Sequence, residues 1–164
     1  MNVVLRWSGV GKAVSFYRYF AFDLPVFTTL SALVFLLGFA FVQLWILVTH
    51  QAVPVYFTVY LALLTTGSVL AMTGITLGWA TREGGLRRAG RLAWALGSAV
   101  SLVSIGMYLF SRTAGLPGLG ELAGRWDYIP GTLSMALAGL FAGLHFSVLT
   151  GLNVAAPDRR GWDD

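Results

Sequence analysis

Four long apolar runs, separated by short breaks, cover residues 24–48, 55–80, 92–110 and 129–154. Each approaches or exceeds the ~20 residues with which an α-helix crosses the hydrocarbon of a bilayer. Of the 164 residues 57% are hydrophobic and 11% charged, against roughly a quarter charged in a soluble domain. A water-soluble fold of this composition would have too little polar surface to present. The sequence therefore predicts an all-α integral membrane protein, a single domain built as a bundle of four transmembrane helices.

The prolines set the same limits independently, because proline suits the first turn of a helix and breaks its interior. Pro25, Pro54 and Pro130 stand at predicted helix starts, Pro117 in a loop, and Pro157 beyond the last run. Asp23 is placed to accept hydrogen bonds from the free N–H groups of the first helix. Trp45, Trp79, Trp94, Trp126, Tyr56, Tyr108 and Tyr128 fall near run ends, where amphipathic rings anchor at the headgroup level. The first run is longer than a signal-peptide core and lacks a small-x-small cleavage site after it, so it reads as a retained signal anchor.

Charge gives the expected orientation. Nine of the eleven basic residues lie in the N-terminal segment, the second-to-third connection and the tail, leaving Arg112 and Arg125 for the other two loops. By the positive-inside rule both chain ends face the cytoplasm, an N-in/C-in topology. Arginines beside apolar spans account for the net charge of +4 without invoking nucleic acid. Residues 3–20 mix bulky apolar side chains with Arg6, Lys12 and Arg18, as expected of an amphipathic helix lying in the cytoplasmic interface; an irregular arm docked on a partner subunit is the alternative. Residues 155–164 form a cytoplasmic tail. The short connections at 49–53 and 81–90 make consecutive helices antiparallel neighbours. The longer one at 111–128, with Gly115, Pro117, Gly118, Gly120 and Gly124, is too rich in breakers for one regular helix.

Many chemistries are excluded by residue type. The chain has no cysteine, which removes disulfides, thiolate metal sites and thiol nucleophiles. Gly9, Gly11 and Lys12 are followed by Ala13, where a phosphate loop needs Ser or Thr for magnesium. No nucleophile–base set or pair of facing carboxylates is visible. No Asp, Glu, Lys or Arg stands mid-span, which argues against ion-coupled transport.

Small residues recur at four-residue spacing: Gly139, Gly143, Ser147 and Gly151 in the last run; Gly67, Ala71, then Gly74 and Gly78 in the second; Ala89, Ala93, Gly97 and Ser101 in the third. Residues four apart share a helix face, and a face without bulk lets another backbone approach closely. These positions predict tight helix packing, within the bundle or against other subunits.

His145 is the one titratable side chain deep in a run. Ten residues before Ala155, it sits about 15 Å in at 1.5 Å per residue, near the middle of a core about 30 Å thick. A hydrogen bond across helices is one reading; a b-type haem, a quinone or a proton relay is the other. Met72, at similar depth, is the candidate second haem ligand. His50 and Gln51, with Gln43 further in, form a polar group at the outer end of the first span. Ser98, Ser101 and Ser104 make a narrow stripe, expected to bond to carbonyls or across an interface.

These features lead to an expected role as a non-catalytic accessory or assembly subunit of a larger membrane complex, in a bacterial respiratory or other electron-transfer setting. Its expected partners are the lipid bilayer and other integral membrane subunits, and its expected location is multi-pass in the bacterial inner membrane. A small redox protein holding haem b or quinone near His145, and a small channel, are the alternatives.

Overall fold

The structure, a computed structural model, describes residues 24–49, 54–80 and 84–158. The expectations for residues 3–20, for the Asp23 cap, for His50 and Gln51 and for the tail from 159 onward lie outside the described residues. Helix α1 spans Pro25–Thr49, α2 Val55–Ala80, α3 Gly84–Thr113 and α4 Ile129–Leu149, with one short 3-10 turn, Gly120–Leu122, in the connection between α3 and α4. Among the described residues there is no strand, and all 4 helices are long and apolar enough to cross a membrane.

Three of the four helices, α1, α2 and α4, begin at a proline. Pro25 opens α1, and the Pro54 carbonyl accepts the N–H groups of Phe57 and Thr58 at 2.9 and 3.2 Å, closing the first turn of α2. Pro130 occupies the first turn of α4, where its missing N–H leaves no bond unmade. The far end of α4 falls short of residue 154. Gly151, at φ 75°, takes the left-handed conformation beyond the Thr150 cap. Its N–H donates to the Val148 carbonyl at 3.1 Å and that of Leu152 to Ser147 at 2.9 Å, the paired bonds of a Schellman ending.

Helix α3 is longer than its apolar run at both ends, starting at Gly84 instead of residue 92 and ending at Thr113 instead of residue 110. Its added first turns carry exposed Arg87, Arg88 and Arg91. Arginine, leucine and alanine are all strong helix formers, so the helix persists where hydropathy stops. At 1.5 Å per residue the 30 residues reach about 45 Å, well beyond a ~30 Å hydrocarbon core.

The helices form a ring in chain order, each packed on its sequence neighbours, with α4 closing on α1. The exterior is made of large apolar side chains such as Phe27, Val34, Phe41, Leu63, Leu102 and Phe146, whereas Thr28, Thr29, Gln43, Ser68, Ser101, Ser104 and Ser134 are buried. That distribution inverts the pattern of a water-soluble bundle, with its polar outer faces, and points to a multi-pass membrane protein. Inside, Ala32, Leu36, Ala71, Ile75, Ala93, Trp94 and Phe141 pack as one cluster, followed along the bundle by Phe39, Leu64, Val100 and Ala138, then by Val42, Ile46 and Leu61.

Helices α2 and α3 approach most closely. A methyl group added to Gly78 would fall 2.8 Å from the Gly90 Cα, and one added to Gly74 2.5 Å from the Ala93 Cβ. The residues after α4 fold back on the start of α1: the Ala156 N–H donates to the Pro25 carbonyl at 3.2 Å and to the Thr29 hydroxyl at 2.9 Å. The bundle thus has two dissimilar ends. One carries the arginine-rich start of α3 and this returning segment, the other the 114–128 loop.

Candidate functional site

His145 is half-buried on α4, with its Nδ1 2.6 Å from the Ser98 hydroxyl of α3. Its ring lies 5.4 Å from that of Trp94, which stacks on Phe141 at 5.5 Å. The imidazole is held on one side by a hydrogen bond between helices and on the other by an aromatic wall. Met72 packs against the cluster that Trp94 and Phe141 fill. It projects from α2, which stands diagonally across the ring from α4. Both candidate ligands therefore border one densely packed apolar layer.

Trp94 belongs to this layer and is 7% exposed. It is not an interfacial anchor: because α3 begins eight residues before its apolar run, Trp94 lies inside the helix and faces inward. Trp45 and Trp126, by contrast, are exposed.

The small residues separate into three environments. Gly74 and Gly78 meet Ala93 and Gly90 across the α2–α3 contact, while Gly139 and Gly143 face outward, and a methyl on either would find nothing within 4 Å. Ser147 donates to the Leu144 carbonyl at 2.7 Å and accepts from the Asn153 side chain at 2.8 Å, fixing the returning segment. Gly151 lies past the end of α4 and serves its termination.

The serine stripe points into the bundle. Ser98 holds His145, Ser104 accepts from the Gln43 amide at 3.4 Å and bonds to Tyr60, and the buried Ser101 hydroxyl has no partner among the described residues. Gln43 also donates to Ser134 at 2.9 Å, so one buried amide on α1 ties α3 and α4 together.

This polar layer floors a cavity of about 340 Å³ at the loop end of the bundle, walled by residues of all four helices and the 114–128 loop. Neither His145 nor Met72 lines it. Arg112, in the last turn of α3, does; it is 4% exposed. One Nη donates to the Leu122 carbonyl at 2.9 Å, and the guanidinium carbon sits 5.1 Å from the Tyr108 ring centre and 5.6 Å from that of Tyr128. Its Nε is buried and has no hydrogen-bond partner among the described residues. Burial pushes the Tyr128 phenol above its ordinary value, against the opposing pull of Arg112.

The loop is strapped over the cavity. Tyr56 donates to the Pro117 carbonyl at 2.6 Å, and the Gly124 N–H to the Arg112 carbonyl at 2.9 Å, with Gly124 at φ 75°. Leu116 is buried beneath it. Sequence reasoning treats Arg112 as an outer-loop charge and misses its burial. The available signal is its place four residues after Tyr108, a spacing that stacks the two side chains on one helix face. Among the described residues no group of three or more His, Asp or Glu side chains could hold a metal ion.

No known protein family, no curated protein and no solved structure matches this chain.

Proposed function

We propose that the chain is a non-catalytic accessory or assembly subunit of a larger membrane complex, inserted N-in/C-in in the bacterial cytoplasmic membrane. The observation that carries this reading is the outward face of α4. Gly67, Gly74, Gly78, Gly90, Gly97 and Gly131 each abut a neighbouring side chain or backbone, whereas Gly139 and Gly143 open onto the exterior. Glycine weakens a helix by about 1 kcal/mol relative to alanine, and its usual return within a bilayer is close approach of a second backbone. Among the described residues that return is absent at 139 and 143. A transmembrane helix of another subunit supplies it.

An electron-transfer complex is the setting we favour, on the strength of His145 alone. A haem held between His145 and Met72 draws less support, since Trp94 and Phe141 pack the layer that both residues border. A channel lined by serines draws less still, since Ser98 and Ser104 are bonded to residues of other helices.

Mild-detergent purification from native membranes tests the subunit reading. Wild-type protein is expected to retain a defined partner chain that Gly143→Leu releases, with the thermal stability of the variant unchanged. A lone wild-type monomer, or equal retention by the variant, defeats the proposal.

A further inference from the structure

The loop-end cavity holds a charge for which the described residues provide no counter-ion. Arg112 and Arg125 both line it, and no carboxylate does. Arg125 is exposed at the rim, 4.0 Å from Asp127. Arg112 is enclosed, with one carbonyl, two tyrosine faces and an unused Nε–H. Removing a cation from water without an ionic partner costs several kcal/mol, and ring faces and a carbonyl offset only part of that cost. An anion entering the cavity would meet the charge of Arg112 and accept a hydrogen bond from its guanidinium. Bonds of this kind are about twice as strong as neutral ones.

The rest of the wall specifies what the anion is attached to. Ile46, Phe57, Leu61, Met107 and Leu119 line the same cavity, so a fully hydrated ion would leave most of it unfilled. A volume of about 340 Å³ is at the small end of the ~300–1,000 Å³ typical of ligand pockets. It accommodates a headgroup and part of one chain, and is too small for both chains of a phospholipid.

We propose that this cavity binds a single-chain amphiphile whose carboxylate or phosphate headgroup pairs with Arg112. The site is independent of the subunit reading, because it lies at the loop end and uses neither Gly139 nor Gly143. The test uses full-length protein in an uncharged maltoside detergent, with dodecanoate, dodecyl phosphate and dodecanol as probes in thermal unfolding and calorimetric titration. Either or both anions are expected to raise the unfolding midpoint saturably, with dodecanol inert; which anion acts tells a fatty-acid from a phosphate source. Arg112→Gln is expected to weaken anion binding about tenfold or more, the loss of a charge-assisted contact. Should that variant not fold, Met107→Trp, which fills the cavity from α3 and leaves the guanidinium intact, is expected to abolish the shift. Equal response to dodecanol, no response to either anion, or undiminished binding in whichever variant folds overturns the proposal.

Discussion

His145 and Ser98 show what a polar side chain does in an apolar bundle. Both residues are half-buried where α3 meets α4, and the 2.6 Å bond between them fixes the rotation of one helix against the other. Interhelical hydrogen bonds of this type contribute about 0.6 kcal/mol on average and seldom more than 1.7. A double-mutant cycle of Ser98→Ala and His145→Ala, followed by unfolding in mixed detergent, is expected to give a coupling energy in that range. A coupling near zero would mean that the bond does not hold the helices. The histidine is legible in the sequence because it is the one titratable group deep in an apolar run. Its partner is not, since the register of α3 on α4 is decided by which faces meet. Arg112 escaped for a related reason: its position in the chain marks it as a loop charge, while its burial depends on the loop that folds over it.

Helix α3 illustrates how hydropathy and helicity part company. Apolarity sets where a helix could enter lipid, and helix propensity sets where it stops, so the arginine-bearing turns of α3 extend an element that a hydropathy reading ends early. Trp94 is misplaced by that same shift. The small-residue spacing is legible as a packing signal, but which stripe is occupied emerges only from the ring of helices. Gly78→Leu is expected to force α2 and α3 apart and lower stability by about 2 kcal/mol or more, as overpacking does. Gly139→Ala, on an open face, should leave the isolated protein unchanged or up to about 1 kcal/mol more stable. Thermal unfolding of the two variants in detergent decides the matter. Equal effects would remove the distinction between the two faces.

For the whole molecule, the number and order of the helices follow from the apolar runs and prolines, and the neighbour relations from the short connections. The cavity does not follow from them, because it requires Gln43, Tyr60, Ser104, Arg112 and Ser134 to converge from all four helices. Its cover depends on single bonds, of which Tyr56 to Pro117 is the shortest. Tyr56→Phe removes about 0.5–1.5 kcal/mol, so amides of residues 116–122 are expected to exchange roughly two- to tenfold faster while those of α1 and α3 keep their rates. The orientation has its own measurement. Since the chain has no cysteine, Gly120→Cys and Asp158→Cys each create a unique thiol. An impermeant reagent applied to whole cells is expected to label the first and spare the second, and the reverse pattern would invert the topology.

The bonds from Ala156 to Pro25 and Thr29, the second spanning 127 residues of sequence, have a bearing on how the protein is made. Helix α1 leaves the ribosome long before the segment that latches its first turn has been translated. That helix must therefore wait in the bilayer with its corner unfinished. Truncating the chain ahead of residue 156 would leave every hydrophobic span in place and still deny the ring its final clasp.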